Sequence, residues 1–171
     1  RVSAAPSLWS SVCGTASANT GGVHYALLGA LGGSTQILTA PNNTRDCHIQ
    51  GGQLYGSSGS SPFTNVFSVG VGTPTMAGQT ATSLSGMPTS GASPDSFAIL
   101  DRDVNVAGLD TLYVADDRAI ASGGGVQKWT FNGATWALAA TFTNGITTGV
   151  RGLAAEVTGN NVTIVATTTN S

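Results

Sequence analysis

The chain has 171 residues, enough for one domain with a proper core, and a formal net charge of only −2. Charged residues make up 8% against 40% hydrophobic, which excludes disorder, since disordered chains are charge-rich and apolar-poor. With six basic residues and no basic cluster the chain is no nucleic-acid binder, and no apolar run approaches the roughly 20 residues of a membrane-spanning helix.

Gly, Ser, Thr, Asn and Ala take the places that Lys and Glu usually fill. Lys128 and Glu156 are the single lysine and glutamate. Such a surface is polar but weakly charged, and little repulsion opposes self-association. The chain opens at Arg1 without methionine or leader, so a processed, truncated or partial product is expected.

No stretch of ten or more residues carries the apolar spacing of a helix. Short alternating or β-branched runs stand between Gly, Ser, Pro and Asn clusters instead. In chain order they begin with Ser7-Leu8-Trp9-Ser10 and, after a loop, Gly22-Val-His-Tyr25. A strand opening near Arg45 leads to Gln53-Leu54-Tyr55, a Gly/Ser loop and Asn65-Val-Phe-Ser-Val69. Another opening near Asp95, with Phe97 and Ile99 as apolar members, leads to Thr111-Leu-Tyr-Val-Ala-Asp116. Next comes Val126-Gln-Lys-Trp-Thr-Phe131, then Asn132-Gly133, then a strand from Thr135 to Phe142. Asn-Gly accepts the positive φ angles of a type I′ turn, so a hairpin is expected there. The last hairpin runs from Gly149 through Arg151, Leu153 and Val157, turns at Thr158-Gly-Asn-Asn161, and returns along Val162-Thr-Ile-Val-Ala-Thr167.

The order repeats. Trp9, Tyr55, Tyr113 and Ile164 align as one position returning about every 50 residues, and Arg45, Asp95 and Arg151 open the strands before the last three. Four short strands per repeat is the pattern of a propeller blade, a sheet that hides its faces only by stacking on its neighbours. The expected fold is all-β: antiparallel four-stranded blades of a partial β-propeller, about three blades, at residues 1–40, 45–84 and 95–142 with an incomplete one at 149–171. Propellers close with about four blades or more, so the chain is expected to be a fragment, an assembly subunit or an open stack. A two-sheet β-sandwich is the alternative.

Several stretches resemble a family of uncharacterised bacterial secreted propellers. They are residues 45–55, 71–80 and 84–94, Val106-Ala-Gly-Leu-Asp-Thr-Leu-Tyr-Val-Ala-Asp-Asp117 and Val150-Arg-Gly-Leu153. The resemblance implies a propeller fold and a secreted or cell-surface location, and it implies no reaction. Members are typically longer, and Cys13 and Cys47 are not among their features.

Candidate chemistry is sparse. Cys13 and Cys47 are the residues for one disulfide in an oxidising compartment, or else two small buried apolar side chains. Asn42 and Asn161 open Asn-x-Thr glycosylation triplets. Asp101, Asp103 and Asn105 alternate like calcium ligands with Asp110 nearby, although Val106 stands where the turn glycine of such a loop belongs. A solvated loop is the competing reading. Asp116 and Asp117 are adjacent in an extended segment and point to opposite faces, so they do not converge as an acid–base pair. His24 and His48 lie in different strands, and no Gly-x-Ser-x-Gly elbow surrounds a serine. Gly123-Gly124-Gly125 joins strand to strand without a helix and reads as slack loop. Tyr113, Trp129 and Trp136 are candidates for stacking on sugar rings, with Trp136 expected to be the most exposed. Arg45 and Arg151, at equivalent places, are expected to anchor loops or pair with aspartates.

These features point to a non-enzymatic extracellular scaffold that self-associates or joins other extracellular chains, without a cofactor unless calcium binds. A carbohydrate- or protein-binding module is the second reading, and the non-catalytic part of a larger secreted enzyme the third.

Overall fold

The computed structural model describes residues 20–169 and the backbone of residues 7–12. Among these residues there are thirteen strands and a single short 3-10 turn, Ile120–Ser122. Sheet I holds β1 (Ser7–Val12), β2 (Gly22–Leu27) and β3 (Thr35–Leu38). Sheet II holds β4 (Thr44–Gln50), β5 (Gln53–Ser58), β6 (Asn65–Val69) and β7 (Ala81–Ser83). Sheet III holds β8 (Pro94–Leu100), β9 (Thr111–Asp116), β10 (Gly125–Phe131) and β11 (Trp136–Phe142). Sheet IV holds β12 (Val150–Thr158) and β13 (Asn161–Thr168). Within each sheet, every strand pairs antiparallel with its neighbours in sequence. The fold is all-β, and its four sheets are not the two of a sandwich. No helix among the described residues is long and apolar enough to cross a membrane.

The sheets stack through side chains. Strand β8 packs beside β4 and β12, and β4, β8 and β12 also lie against β1, β5 and β9 of the preceding sheets. Three apolar layers result. Val23, Ile37 and Leu38 of sheet I meet Leu54, Phe67 and Val69 of sheet II. Val66 of sheet II meets Phe97, Ile99, Leu112, Val114, Trp129 and Trp136 of sheet III. Tyr113, Ala115 and Val126 of sheet III meet Val150, with Leu153, Val162 and Ile164 of sheet IV packed on them. Alternation along β9 sends Leu112 and Val114 to one layer and Tyr113 and Ala115 to the next, so the whole strand is buried.

Register tests the alignment of the repeat directly. Trp9, Tyr55 and Tyr113 each stand three residues before the strand-end residues Val12, Ser58 and Asp116, which face Gly22, Asn65 and Gly125 across the ladder. Ile164 does not occupy the corresponding place. His48 faces Tyr55, and counting from the opening pairs Thr44–Ser58 and Val150–Thr168 makes Ala154 the match of His48 and its partner Val165 the match of Tyr55. A slip of one residue moves a side chain to the other face. Ile164 therefore packs toward sheet III, and Val165 points away from it, 65% exposed.

The Asn132 hairpin forms with a four-residue turn instead of type I′. The Asn132 amide nitrogen donates to the Thr135 carbonyl, and its side-chain oxygen accepts from the nitrogens of Ala134 and Thr135. The asparagine caps the loop through its side chain, and its φ is not positive.

Candidate functional site

Strands β4, β8 and β12 each carry a bulge just after the first residue, Thr44, Pro94 and Val150. A bulge inserts an unpaired residue and re-aims its side chain. In sheets II and IV the extra residues are Arg45 and Arg151, and in sheet III the irregular stretch carries Asp95. Three sheets thus send charged side chains to one place, where Asp117, just beyond β9, joins them. Arg45 Nη1 lies 3.8 Å from Asp95 Oδ2 and 3.6 Å from Asp117 Oδ1. Arg151 Nε lies 3.6 Å from Asp95 Oδ2 and 3.3 Å from Asp117 Oδ2. Burial pushes the Asp95 carboxyl above its ordinary value, against the pull of Arg45 and with the help of Asp117. Burial also works to raise Asp117, but Ser93, Arg45 and Arg151 outweigh it and hold that carboxyl down. Two cations and two anions neutralise one another, so the quartet ties sheets together and leaves no charge over for a ligand.

One residue further along each strand, Ser96 Oγ donates to Asp46 Oδ2 at 2.6 Å, and His48 Nε2 stands 2.9 Å from the same oxygen. The carboxylate is the hub. In a nucleophilic triad the histidine would bond the serine, and here it does not. Burial raises Asp46, but the bonds from His48 and Ser96 prevail and hold it below its ordinary value. His48 is raised, first by its bond to Asp46. The signs follow by linkage. A raised histidine stabilises below its unfolded pKa of about 6.5 and loses that contribution as pH climbs through the folded value. The lowered Asp46 stabilises above an unfolded value of about 3.9 and loses it as pH falls through the folded one. Asp95 acts in the opposite sense to Asp46, favouring the fold as acid is added. Thermal melts of wild type and His48→Gln between pH 5 and 8 are expected to converge toward pH 8, with wild type ahead at pH 5.

The loop from Asp101 to Asp110 is built by its own hydrogen bonds. Asp103 Oδ1 accepts from the backbone and side-chain nitrogens of Asn105 at 3.0 and 2.8 Å. Asp110, not a member of the alternating trio, is the buried organiser. Its Oδ2 accepts from the backbone nitrogens of Arg102 and Asp103, both at 2.8 Å. Asp101 lies exposed. No group of three or more His, Cys, Asp or Glu side chains stands together as a metal site among the described residues.

Asp116 and Asp117 diverge as alternation requires. Asp116 is buried and takes Arg118 Nε and Nη2 at 2.8 and 2.9 Å, whereas Asp117 joins the quartet. The glycine run beside them is not slack. A Cβ on Gly124 would stand 1.8 Å from the Arg118 carbonyl oxygen, and the Gly123 carbonyl accepts from the Gln127 side chain.

The stacking candidates are buried. Trp136 is 6% exposed, and Trp129 and Tyr113 are equally enclosed. Trp136 opens an outer strand whose other residues are largely exposed, yet its ring lies against Phe131 in the same apolar cluster as Met87 and Leu84 from the chain after β7, and its backbone nitrogen donates to the Ser85 carbonyl. Cys47 is half-buried on β4, and Cys13 lies outside the described residues, as does the bond between them. Thr44 of the Asn42 triplet is buried with its hydroxyl bonded to the Gly22 carbonyl, while Asn161 stands exposed at the start of β13.

Grooves open between the sheets, and two of them carry aromatic or basic walls. One, of about 430 Å³ between sheets II and III, is walled by Tyr55, Phe131 and Trp136. The other, of about 610 Å³ between sheets III and IV, is lined by Tyr113, Lys128, Arg102 and the β12–β13 turn. Sequence reasoning missed the second groove, because its lining residues are brought together only by the stacking of the two sheets. No protein-family model, curated protein or solved structure matches the chain.

Proposed function

We propose that this chain is a non-enzymatic extracellular scaffold, its sheets serving as propeller-type blades, and that copies associate through the open side of sheet IV. The blade reading is supported by shared positions in successive sheets. Trp9, Tyr55 and Tyr113 match in register, and the third strands open on Gly22, Asn65 and Gly125, all with positive φ. The charge quartet, built from bulges at one place in each first strand, adds to it.

Val165 is the observation that carries the association. Tyr55 packs into the layer toward the next sheet and Tyr113 belongs to the core of the layer after that. Val165, at the matching place in sheet IV, faces solvent, and β13 has a free ladder edge among the described residues. An apolar face beside an unpaired edge invites a further strand or sheet. The weak surface charge offers little resistance.

Sedimentation velocity across a hundredfold concentration range is expected to show association of the wild type. Val165→Lys is expected to remain monomeric, with its melting temperature little changed, because exposed substitutions usually act within about 0.5 kcal/mol. A wild type that stays monomeric throughout overturns the reading.

A further inference from the structure

We propose that the groove between sheets III and IV binds a sugar ring bearing a carboxylate, of the uronic acid class. The observation is where the chain's spare positive charge goes. Of its six basic residues, Arg1 lies outside the described ones, and Arg45, Arg118 and Arg151 each face an aspartate within 4 Å. Arg102 and Lys128 meet no carboxylate at that distance among the described residues, and both line this groove.

Their surroundings keep the charge available. Lys128 sits across the ladder from Tyr113, with its Nζ 6.0 Å from the ring centroid. The Arg102 guanidinium donates one bond to the Gly159 carbonyl at 2.9 Å, which pins it at the β12–β13 turn with further N–H groups to spare. Asp110 acts on Arg102 through its charge, but it is buried, with Oδ2 accepting backbone nitrogens and Oδ1 accepting the Thr111 hydroxyl. Glu156 pairs with Thr163 across β12 and β13, on the face opposite Val162 and Ile164, which turn toward Tyr113. No carboxylate lines the groove itself.

The rest of the lining selects a sugar over a bare anion. Asn160, at the β12–β13 turn, offers an amide that matches a ring hydroxyl, and Tyr113 gives an apolar floor. A volume near 610 Å³ lies within the range of small-molecule sites, roughly 300–1,000 Å³. The carboxylate meets Lys128 and Arg102 while the hydroxyls meet the turn. This inference does not depend on assembly.

The test is calorimetric titration of dilute, monomeric protein with galacturonate, glucuronate, galactose, acetate and inorganic phosphate. At least one uronate is expected to bind on the order of tenfold more tightly than galactose and acetate, as one charge-assisted hydrogen bond provides. Binding is expected to weaken with added salt. Lys128→Gln and Arg102→Gln are each expected to weaken it about tenfold, with Lys128→Arg restoring it and far-ultraviolet spectra unchanged. Equal affinity for galactose, phosphate binding as tight as uronate, or no uronate binding at millimolar concentrations each overturns the proposal. Sedimentation reports association separately, so failure of one reading is not mistaken for failure of the other.

Discussion

Replacing Phe67 by alanine is expected to destabilise the fold by about 3–5 kcal/mol, the usual range for deleting a buried aromatic ring. Phe67 is fully buried in the layer between sheets I and II, among Leu54, Val69, Ile37 and Leu38. Across the ladder it faces Gly56, and a Cβ there would stand 2.8 Å from two ring carbons. The glycine is present because the ring lies over it. Gly56→Ala in the wild type is therefore expected to cost about 1–3 kcal/mol by overpacking. In the Phe67→Ala background the new methyl enters vacated space, and a less flexible unfolded chain adds about 0.4–1 kcal/mol in its favour. The second substitution should then be neutral or slightly stabilising. Urea unfolding of the four proteins measures this as a coupling of at least about 1 kcal/mol. Additive effects would mean that the ring does not lie on the glycine.

Asp116→Ala is expected to destabilise by about 3 kcal/mol, the lower end of the range for removing one partner of a buried ion pair. The Asp116 carboxylate is enclosed and receives the Arg118 guanidinium twice, the Arg118 and Ser93 backbone nitrogens and the Gln127 amide. Arg118 also reaches the carbonyls of Gly91 and Gly123, so this one acid gathers the loops that lead into β8 and β10 at the C-terminal end of β9. Asp116→Asn keeps the shape and one acceptor oxygen but loses the charge, and should cost about half as much. Urea midpoints at pH 7 rank the three proteins. A loss under about 1 kcal/mol for the alanine variant, the size of an ordinary neutral hydrogen bond, would show that Arg118 finds water instead.

Much of the sheet architecture was legible because it is written locally. Gly, Asn, Ser and Pro clusters mark where strands turn, and within each sheet each strand pairs with the next one along the chain. The equivalence of Arg45 and Arg151, and their pairing with aspartates, was also visible from their shared offset. The bulges that aim these residues were not, since an extra residue in a strand has no fixed composition. The register of β13 was misread for a physical reason. Ile164 and Val165 are adjacent and both apolar, so alternation alone does not say which faces inward, and packing on Tyr113 decides. Trp136 was expected to be exposed because it opens an outer strand, but Phe131 and the chain following β7 help to bury it. The groove holding Lys128 and Arg102 joins residues from separate sheets and has no local signature. Asp101, Asp103 and Asn105 alternate in the sequence, but spacing gave no sign that Asp110, outside that trio, accepts the backbone nitrogens of Arg102 and Asp103.

Because each ladder closes within one continuous stretch of chain, no strand must wait for a partner made much later. Local pairing of this kind carries a small loop-closure penalty and favours quick formation. A chain emerging from one end can therefore complete each sheet as it appears and dock it on the one before, so that its growth in space follows the order of its synthesis.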